Sequence, residues 1–239
     1  MTAKVAEGEL VYAIGDIHGR SDLLAGLLEE IEADAARHDA AKKTLVFVGD
    51  YVDRGRDSCG VIEMLLKSLP QGFSVHFLKG NHEALLLDFL DDAHRLDHWR
   101  MNGGEETMVS YGVDVQRLRE TQARPEAWRE AFMAALPTAH FDFLRHLRLQ
   151  LPMGDYLFVH AGVRPGVPLD AQAENDLIWI RDEFLDATEP FGKGVVHGHT
   201  PTEAPVIRPN RIGIDTGAVF SGRLTALRLE NGSQSFLQT

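Results

Sequence analysis

The sequence predicts an α/β layered sandwich, and three observations carry that expectation. Short apolar runs rich in Val, Ile and Tyr end at glycine. Amphipathic segments of helical period follow the first of these runs. Five short polar motifs stand directly after such runs. Strands that alternate with helices are what a helix-covered sheet requires.

Leu10–Ile14 reads as a buried strand that ends at Gly15. Ser21 then has the residue type of a helix N-cap, and Leu23, Leu24, Leu27, Leu28 and Ile31 follow at helical spacing. Thr44–Val48 repeats the strand pattern before Gly49, and a helix follows that places Val61, Ile62, Leu65 and Leu66 on one face. Val75–Leu78 is a third strand, ending before Gly80. From Ala84 to Leu149 the pattern is mainly helical: Leu85–Leu90, then Glu126–Leu136 and Thr138–Leu147, the last two separated by Pro137. Residues 84–149 read as a helical cap inserted into a single domain that spans 1–239. Trp99, Asn102, Gly103 and Gly104 either line a substrate entrance or form a simple loop. Tyr156–Val159 and Gly194–Val196 are further strands, and Arg211–Asp215 with Arg223–Leu229 reads as a closing hairpin.

A chain of 239 residues, 44% hydrophobic and 25% charged, is long enough for a substantial buried core. Its net charge of −12 disfavours a long nucleic acid or an anionic membrane surface as partner. Two bound cations would still make a pocket locally positive, so a phosphorylated substrate stays open. The single cysteine, Cys59, excludes an intrachain disulfide and suits the cytoplasm; it reads as a small hydrophobe on a helix. Met1–Glu9 lacks the pattern of a signal peptide, and no run approaches the roughly 20 apolar residues of a membrane helix. Oligomeric state is left open.

The chemistry lies in the motifs Gly-Asp-Ile-His-Gly-Arg (15–20), Gly-Asp-Tyr-Val-Asp-Arg-Gly (49–55), Gly-Asn-His-Glu (80–83), His-Ala-Gly (160–162) and Gly-His-Thr (198–200). Ligands of α/β sheets bind beyond the carboxyl ends of the strands, where all five motifs are expected. The motifs offer carboxylates, imidazoles and one amide oxygen, but no thiolate. That set disfavours a closed structural zinc site and suits Mn²⁺ or Fe, with Zn²⁺ and Mg²⁺ open. Six such residues are too many for one ion with an open position and about right for two sharing a carboxylate. His197 is expected to support the site, His76 to sit in a sheet, and His38, His94, His98, His140 and His146 to be surface or packing residues.

These five motifs, in this order, resemble the PPP family of metallophosphoesterases, which holds serine/threonine protein phosphatases, their bacterial and phage relatives, and symmetrical diadenosine tetraphosphatases. The resemblance spans residues 15 to about 217. It implies a calcineurin-like β-sandwich flanked by helices. It also implies that Asp16 and His18 bind a first metal, that Asp50 bridges, and that Asn81, His160 and His199 bind a second. By the same resemblance His82 is the general acid, Asp53 its orienting partner, and Arg54 and Arg181 bind phosphate. Two cations about 3.5–4 Å apart would clamp a phosphoryl oxygen and generate a hydroxide nucleophile, with no covalent phosphoenzyme. Gly213–Val219 lacks the tyrosine of the eukaryotic enzymes, which points to the bacterial branch, and Asp53 with His18-Gly19 favours the phosphatases over the diadenosine tetraphosphatases. The expected activity is hydrolysis of phosphoserine and phosphothreonine in proteins, or of another small phosphoester. The alternatives are a dinucleoside polyphosphate hydrolase, a nuclease or phosphodiesterase, and a non-catalytic binding module on the same fold.

Overall fold

Two five-stranded mixed sheets lie face to face, each with helices on its outer side. The computed structural model describes residues 3–239. The first half runs β1 (Glu9–Ile14), α1 (Ser21–Ala35), β2 (Lys42–Phe47), α2 (Ser58–Lys67), β3 (Phe73–Phe77) and α3 (Asn81–Asp91). A 3₁₀ turn leads to α4 (Leu96–Arg100), α5 (Gly104–Ser110), α6 (Val115–Glu120), α7 (Pro125–Ala135) and α8 (Thr138–Arg145). The second half runs β4 (Gln150–Met153), β5 (Tyr156–Val159), α9 (Glu174–Trp179), α10 (Asp182–Leu185), β6 (Gly194–His197), β7 (Val206–Ile207), β8 (Arg211–Gly213), α11 (Ala218–Ser221), β9 (Thr225–Glu230) and β10 (Ser233–Gln238). The sheet orders are β10-β9-β1-β2-β3 and β4-β5-β6-β8-β7. β1, β2 and β3 pair in parallel, as do β5, β6 and β8.

The side-chain alternation of a strand explains why these runs are apolar throughout. In β1, Val11 and Ala13 face the second sheet, in a cluster with Val46, Phe158 and Val196. Leu10, Tyr12 and Ile14 face the helices and pack with Leu24, Leu27 and Ile31 of α1. β5 does the same on the other side: Tyr156 and Phe158 point inward, while Leu157 and Val159 meet Leu177 and Ile178 of α9. Each such side chain stabilises the fold by roughly 1.5–3 kcal/mol through burial. Residues 84–149 share the first helix layer, since Leu86, Phe89, Trp99, Trp128 and Phe132 belong to the same cluster as α1 and α2.

Four expectations need correction. Arg211–Gly213 and Thr225–Glu230 do not pair with each other: β8 joins β6 and β7, β9 joins β1 and β10, and the closing hairpin is β9–β10. Ser21 does not cap α1; Arg20 holds the cap position, and the Ser21 hydroxyl donates to Asp57 Oδ2 at 2.5 Å. Leu66 is 39% exposed, so the buried face of α2 is Val61, Ile62 and Leu65. Trp99 lines no entrance, for it is fully buried on α4.

Among the described residues no helix is long and apolar enough to cross a membrane. Cys59 is a half-buried thiol on α2, and His76 sits in the edge strand β3. His140 is buried between Tyr111 Oη at 2.9 Å and Glu63 Oε2 at 3.0 Å, a packing role.

Candidate metal centre and its acid

The five motifs converge at the carboxyl ends of β1, β2, β3, β5 and β6. Within the second motif, in the loop after β2, the residues divide the work. Asp50 lies at the centre and Asp53 behind the His82 ring, while Tyr51 and Val52 are buried in the helix layer, and Tyr51 Oη donates to Leu78 O at 2.7 Å. The backbone there is forced. Of the seven non-glycine residues with positive φ, five are His18, Asp50, Asp53, Arg54 and His199. Such conformations cost roughly 1–3 kcal/mol each, and this concentration in one place marks a functional site. Glycines supply close approach: a Cβ on Gly80 would strike Asp50, and one on Gly198 would strike Asp16.

Asp50 Oδ2 is the hub. It lies 3.4 Å from His18 Nε2, 3.5 Å from His160 Nε2 and 4.0 Å from His82 Nε2. Its partner atom Oδ1 accepts from His82 N at 3.1 Å. On one side, Asn81 Oδ1 sits 2.9 Å from His160 Nε2 and 2.8 Å from His199 Nδ1, and the two imidazole nitrogens are 3.2 Å apart. Two trios of close-set ligand atoms share Asp50: one with His18 and His82, one with His160 and His199. Asp16 joins neither trio. Its Oδ2 accepts from His199 N at 2.9 Å, and its Oδ1 is buried without a partner.

These residues fit divalent cations on several counts. His18 Nδ1 donates to Val52 O at 2.9 Å and His160 Nδ1 to Val48 O at 2.9 Å, which leaves both Nε2 lone pairs facing Asp50. A backbone carbonyl behind an imidazole is the usual way a ligand tautomer is fixed. Burial lowers the pKa of His18 to about 3 and of His199 to about 2, and it lowers that of His160 as well, so all three are neutral donors. Burial, reinforced by the charges of Asp215 and Asp50, pushes the Asp16 carboxyl well above the usual carboxylate range. Clustered carboxylates without a counter-charge are what a bound cation would relieve.

His82 and Asp53 form a buried pair, Nδ1 to Oδ2 at 2.8 Å. Asp53 also accepts from Trp99 Nε1 at 3.0 Å and from Thr107 Oγ1 at 2.7 Å. Burial raises the Asp53 carboxyl, and these donors pull it back towards the carboxylate. Burial opposes charge on His82, but Asp50 and Asp53 outweigh it and its pKa rises above the ordinary imidazole value. The imidazolium is therefore favoured, and its buried Nε2 has no hydrogen-bond partner and faces the centre.

Arg54 Nη1 reaches His18 Nε2 at 3.1 Å, so its guanidinium borders the centre. Arg181 is exposed, with Nη1 3.4 Å from Thr200 Oγ1, beside the last motif. His197 is buried against Phe184, its Nδ1 at 3.0 Å from Gly198 O, a packing position.

Four contributors were missed. Glu83 lies within a quoted motif yet was given no role: its carboxylate accepts from the backbone N–H of Gly80, Asp50 and Tyr51 at 2.8–2.9 Å and ties the β2 and β3 loops together. Trp99 and Thr107, which hold Asp53, lie in the helical segment and carry no sequence signal for it. Asp215 faces the site and has its pKa raised to about 6 by burial.

Comparison with known proteins fits this geometry. The model of the calcineurin-like phosphoesterase family matches residues 10–225. The serine/threonine-protein phosphatase 1 of Salmonella typhimurium is 30% identical over 226 residues, covering 92% of each chain. The asymmetrical bis(5'-nucleosyl)-tetraphosphatase PrpE of Anoxybacillus flavithermus is 30% identical over 234 residues, covering 90% of this chain and 88% of that one. A crystal structure provisionally named a diadenosine tetraphosphatase superposes with a TM-score of 0.64 at 23% identity, over 100% of this chain and 98% of that one, which shows the shared fold. A family match across nearly the whole chain, on a two-sheet sandwich whose strand ends gather these ligands, leaves one reading: the chain belongs to the calcineurin-like phosphoesterase family and is a metal-dependent phosphoester hydrolase.

Proposed function

We propose that the protein hydrolyses phosphoserine and phosphothreonine in proteins, with Asp16, His18 and Asp50 holding one divalent cation and Asp50, Asn81, His160 and His199 a second, most suitably Mn²⁺. When bound, the cations supply Lewis-acid polarisation of phosphoryl oxygens and a lowered pKa for an attacking water. The residues do the rest. Arg54, with its planar fork beside His18, and Arg181 at the last motif bind the non-bridging phosphate oxygens. His82 delivers the proton at Nε2 to the leaving oxygen, and Asp53 holds the ring and its charge through Nδ1.

The observation that carries the substrate class is the buried His82–Asp53 pair. A serine or threonine alkoxide is a very poor leaving group and needs a proton as the P–O bond breaks. A departing nucleotide phosphate, with a pKa near 6, needs it far less. A strained loop and three side chains, Asp53, Trp99 and Thr107, committed to one imidazolium support an alkyl phosphomonoester. The relative from Salmonella supports the same class. The PrpE relatives favour a second reading, cleavage of dinucleoside tetraphosphates on the same centre.

The test is turnover of p-nitrophenyl phosphate, a phosphoserine peptide and diadenosine tetraphosphate by Mn²⁺-loaded protein. A higher kcat/KM on the peptide than on the dinucleotide is expected. Turnover confined to the dinucleotide would replace the first reading by the second.

A further inference from the structure

A cavity of about 550 Å³ opens beside the centre, bordered by Gly19, Arg20, Asp22, Arg54, Arg56 and Val219. It shares Arg54 with the centre, so a group in this cavity and a phosphate at the centre would lie on two sides of one guanidinium. The charges around it are mostly committed. Arg20 donates to Asp22 at 2.8 and 2.6 Å and to Ala218 O at 3.1 Å. Asp57 accepts from Ser21 Oγ at 2.5 Å and from Gly60 N at 2.9 Å. Arg54 turns to His18. Arg56 is exposed and enters no hydrogen bond or ion pair among the described residues. It also borders a second cavity of about 640 Å³, along Val109 and Val115 of the helical segment. Arg56 is thus the one cation common to both cavities without a partner among the described residues; the carboxylates beside it are Asp57, held by neutral donors on the first cavity, and Glu106, which borders the second.

The loop that carries Arg56 is fixed. Arg54 N donates to Gly103 O at 3.2 Å, Asp57 N to Gly19 O at 3.0 Å, and a Cβ on Gly55 would collide with His18 O. A binding group on a pinned loop loses little freedom on meeting its ligand. One residue, Gly55, separates Arg54 from Arg56, so their Cα atoms, two steps along the chain, are at most about 7 Å apart. That span matches about one to three residues of extended peptide at roughly 3.3 Å each.

We propose that Arg56 forms a subsite for a second anion of the substrate, a carboxylate or phosphate borne within about three residues of the scissile phosphate. The enzyme is then selective for phosphorylated residues in acidic surroundings. This rests on the proposed phosphoester hydrolysis. A polyphosphate chain would present the same chemistry, so the test separates the two sources.

The experiment measures kcat/KM for phosphoserine peptides that differ only in Glu, Ala or Lys at one to three positions from the phosphoserine, with the native chain, Arg56→Ala and Arg56→Glu. The native chain is expected to favour Glu over Ala by about 2- to 5-fold, as suits an exposed Arg–carboxylate pair. Arg56→Ala is expected to bring that ratio near one, and Arg56→Glu to favour Lys. Diadenosine tetraphosphate is run beside them. A fall in its kcat/KM relative to p-nitrophenyl phosphate in Arg56→Ala, with no preference among peptides, assigns the anion to a polyphosphate. Turnover of p-nitrophenyl phosphate with neither selectivity changed by Arg56→Ala overturns the subsite and leaves the hydrolase reading standing. No turnover of any substrate sinks the hydrolase reading instead. Calorimetric titration with methylenediphosphonate then decides the subsite alone: binding about 5-fold weaker in Arg56→Ala supports it, and equal binding overturns it.

Discussion

Asp53→Asn isolates the role of the buried pair, because it removes a charge without changing shape. The asparagine oxygen must serve the two donors on its Oδ1 side, Trp99 Nε1 at 3.0 Å and Thr107 Oγ1 at 2.7 Å. The amide NH₂ then faces His82 Nδ1, which can only accept from it, so the His82 proton moves to Nε2 and the ring is held neutral. Two unit charges about 4 Å apart interact by about 4 kcal/mol at an effective dielectric of 20. That corresponds to about 3 pKa units, downward for His82 because the lost partner was negative. The imidazolium fraction at neutral pH then falls by up to about 10³. With a phosphoserine peptide, kcat is expected to drop by about 10²–10³, in the range general acids contribute. With p-nitrophenyl phosphate, whose leaving group needs no proton, the drop is expected to stay within about 10-fold. Steady-state kinetics on both substrates, with metal content measured by mass spectrometry, give the answer. Equal losses on both substrates at unchanged metal content would refute the reasoning, since Asp53 would then act on the geometry of the centre and not on the proton.

Asp50→Asn should lower bound metal below two ions per chain and reduce the rate on every substrate, since Oδ2 faces all three neighbouring imidazoles; full metal content with a near-normal rate would exclude a bridging role. Gly80→Ala should cost more than 100-fold in kcat/KM with an unaltered circular dichroism spectrum, because its Cβ would lie 2.5 Å from Asp50 N and collide with Oδ1. Far from the centre, burial opposes charge on Asp34, but hydrogen bonds from Tyr12, Arg37 and Arg228 outweigh it and hold its pKa near 2, below the ordinary 3.8. A depressed carboxylate stabilises the fold above its unfolded pKa, and that contribution, about 2 kcal/mol, disappears as pH falls from about 4 to 2. Urea denaturation should therefore show Asp34→Asn weaker by about 2 kcal/mol at pH 7 and the gap closing in that acid window; a gap independent of pH would mean that packing, not charge, is lost.

The parts of this molecule visible in its sequence are those encoded locally. The strand runs before the motifs were legible because both faces of β1, β2 and β5 are buried, and a doubly buried strand is continuously apolar. The ligand set was legible because glycine, acid and imidazole types recur at strand ends. The misread features depend on partners far along the chain. β8 and β9 follow one another closely, yet β9 pairs with β1, more than two hundred residues earlier. β10 is a polar edge strand whose Ser, Gln and Ser carry little period-two signal. Ser21 has the right type for a cap, but its hydroxyl meets Asp57, which itself caps α2. Nothing within six residues of Trp99 indicates that its indole serves Asp53.

That last contact changes what the helical segment does. From sequence, residues 84–149 read as a helical cap inserted into the domain. In the structure they also reach into the chemistry: Trp99 and Thr107 supply two of the donors on Asp53, and Gly103 O holds Arg54 N. The His82–Asp53 pair is thereby coupled to α5, which also borders the second cavity beside Arg56. A shift of α5 that widened the second cavity would loosen the Thr107 donor on Asp53, raise the Asp53 pKa further and weaken the imidazolium on His82. On the proposed roles of Arg56 and His82, substrate selection and proton delivery would both depend on the packing of α5. Exchanging this segment for that of a relative should alter kcat on poor leaving groups together with selectivity, rather than selectivity alone.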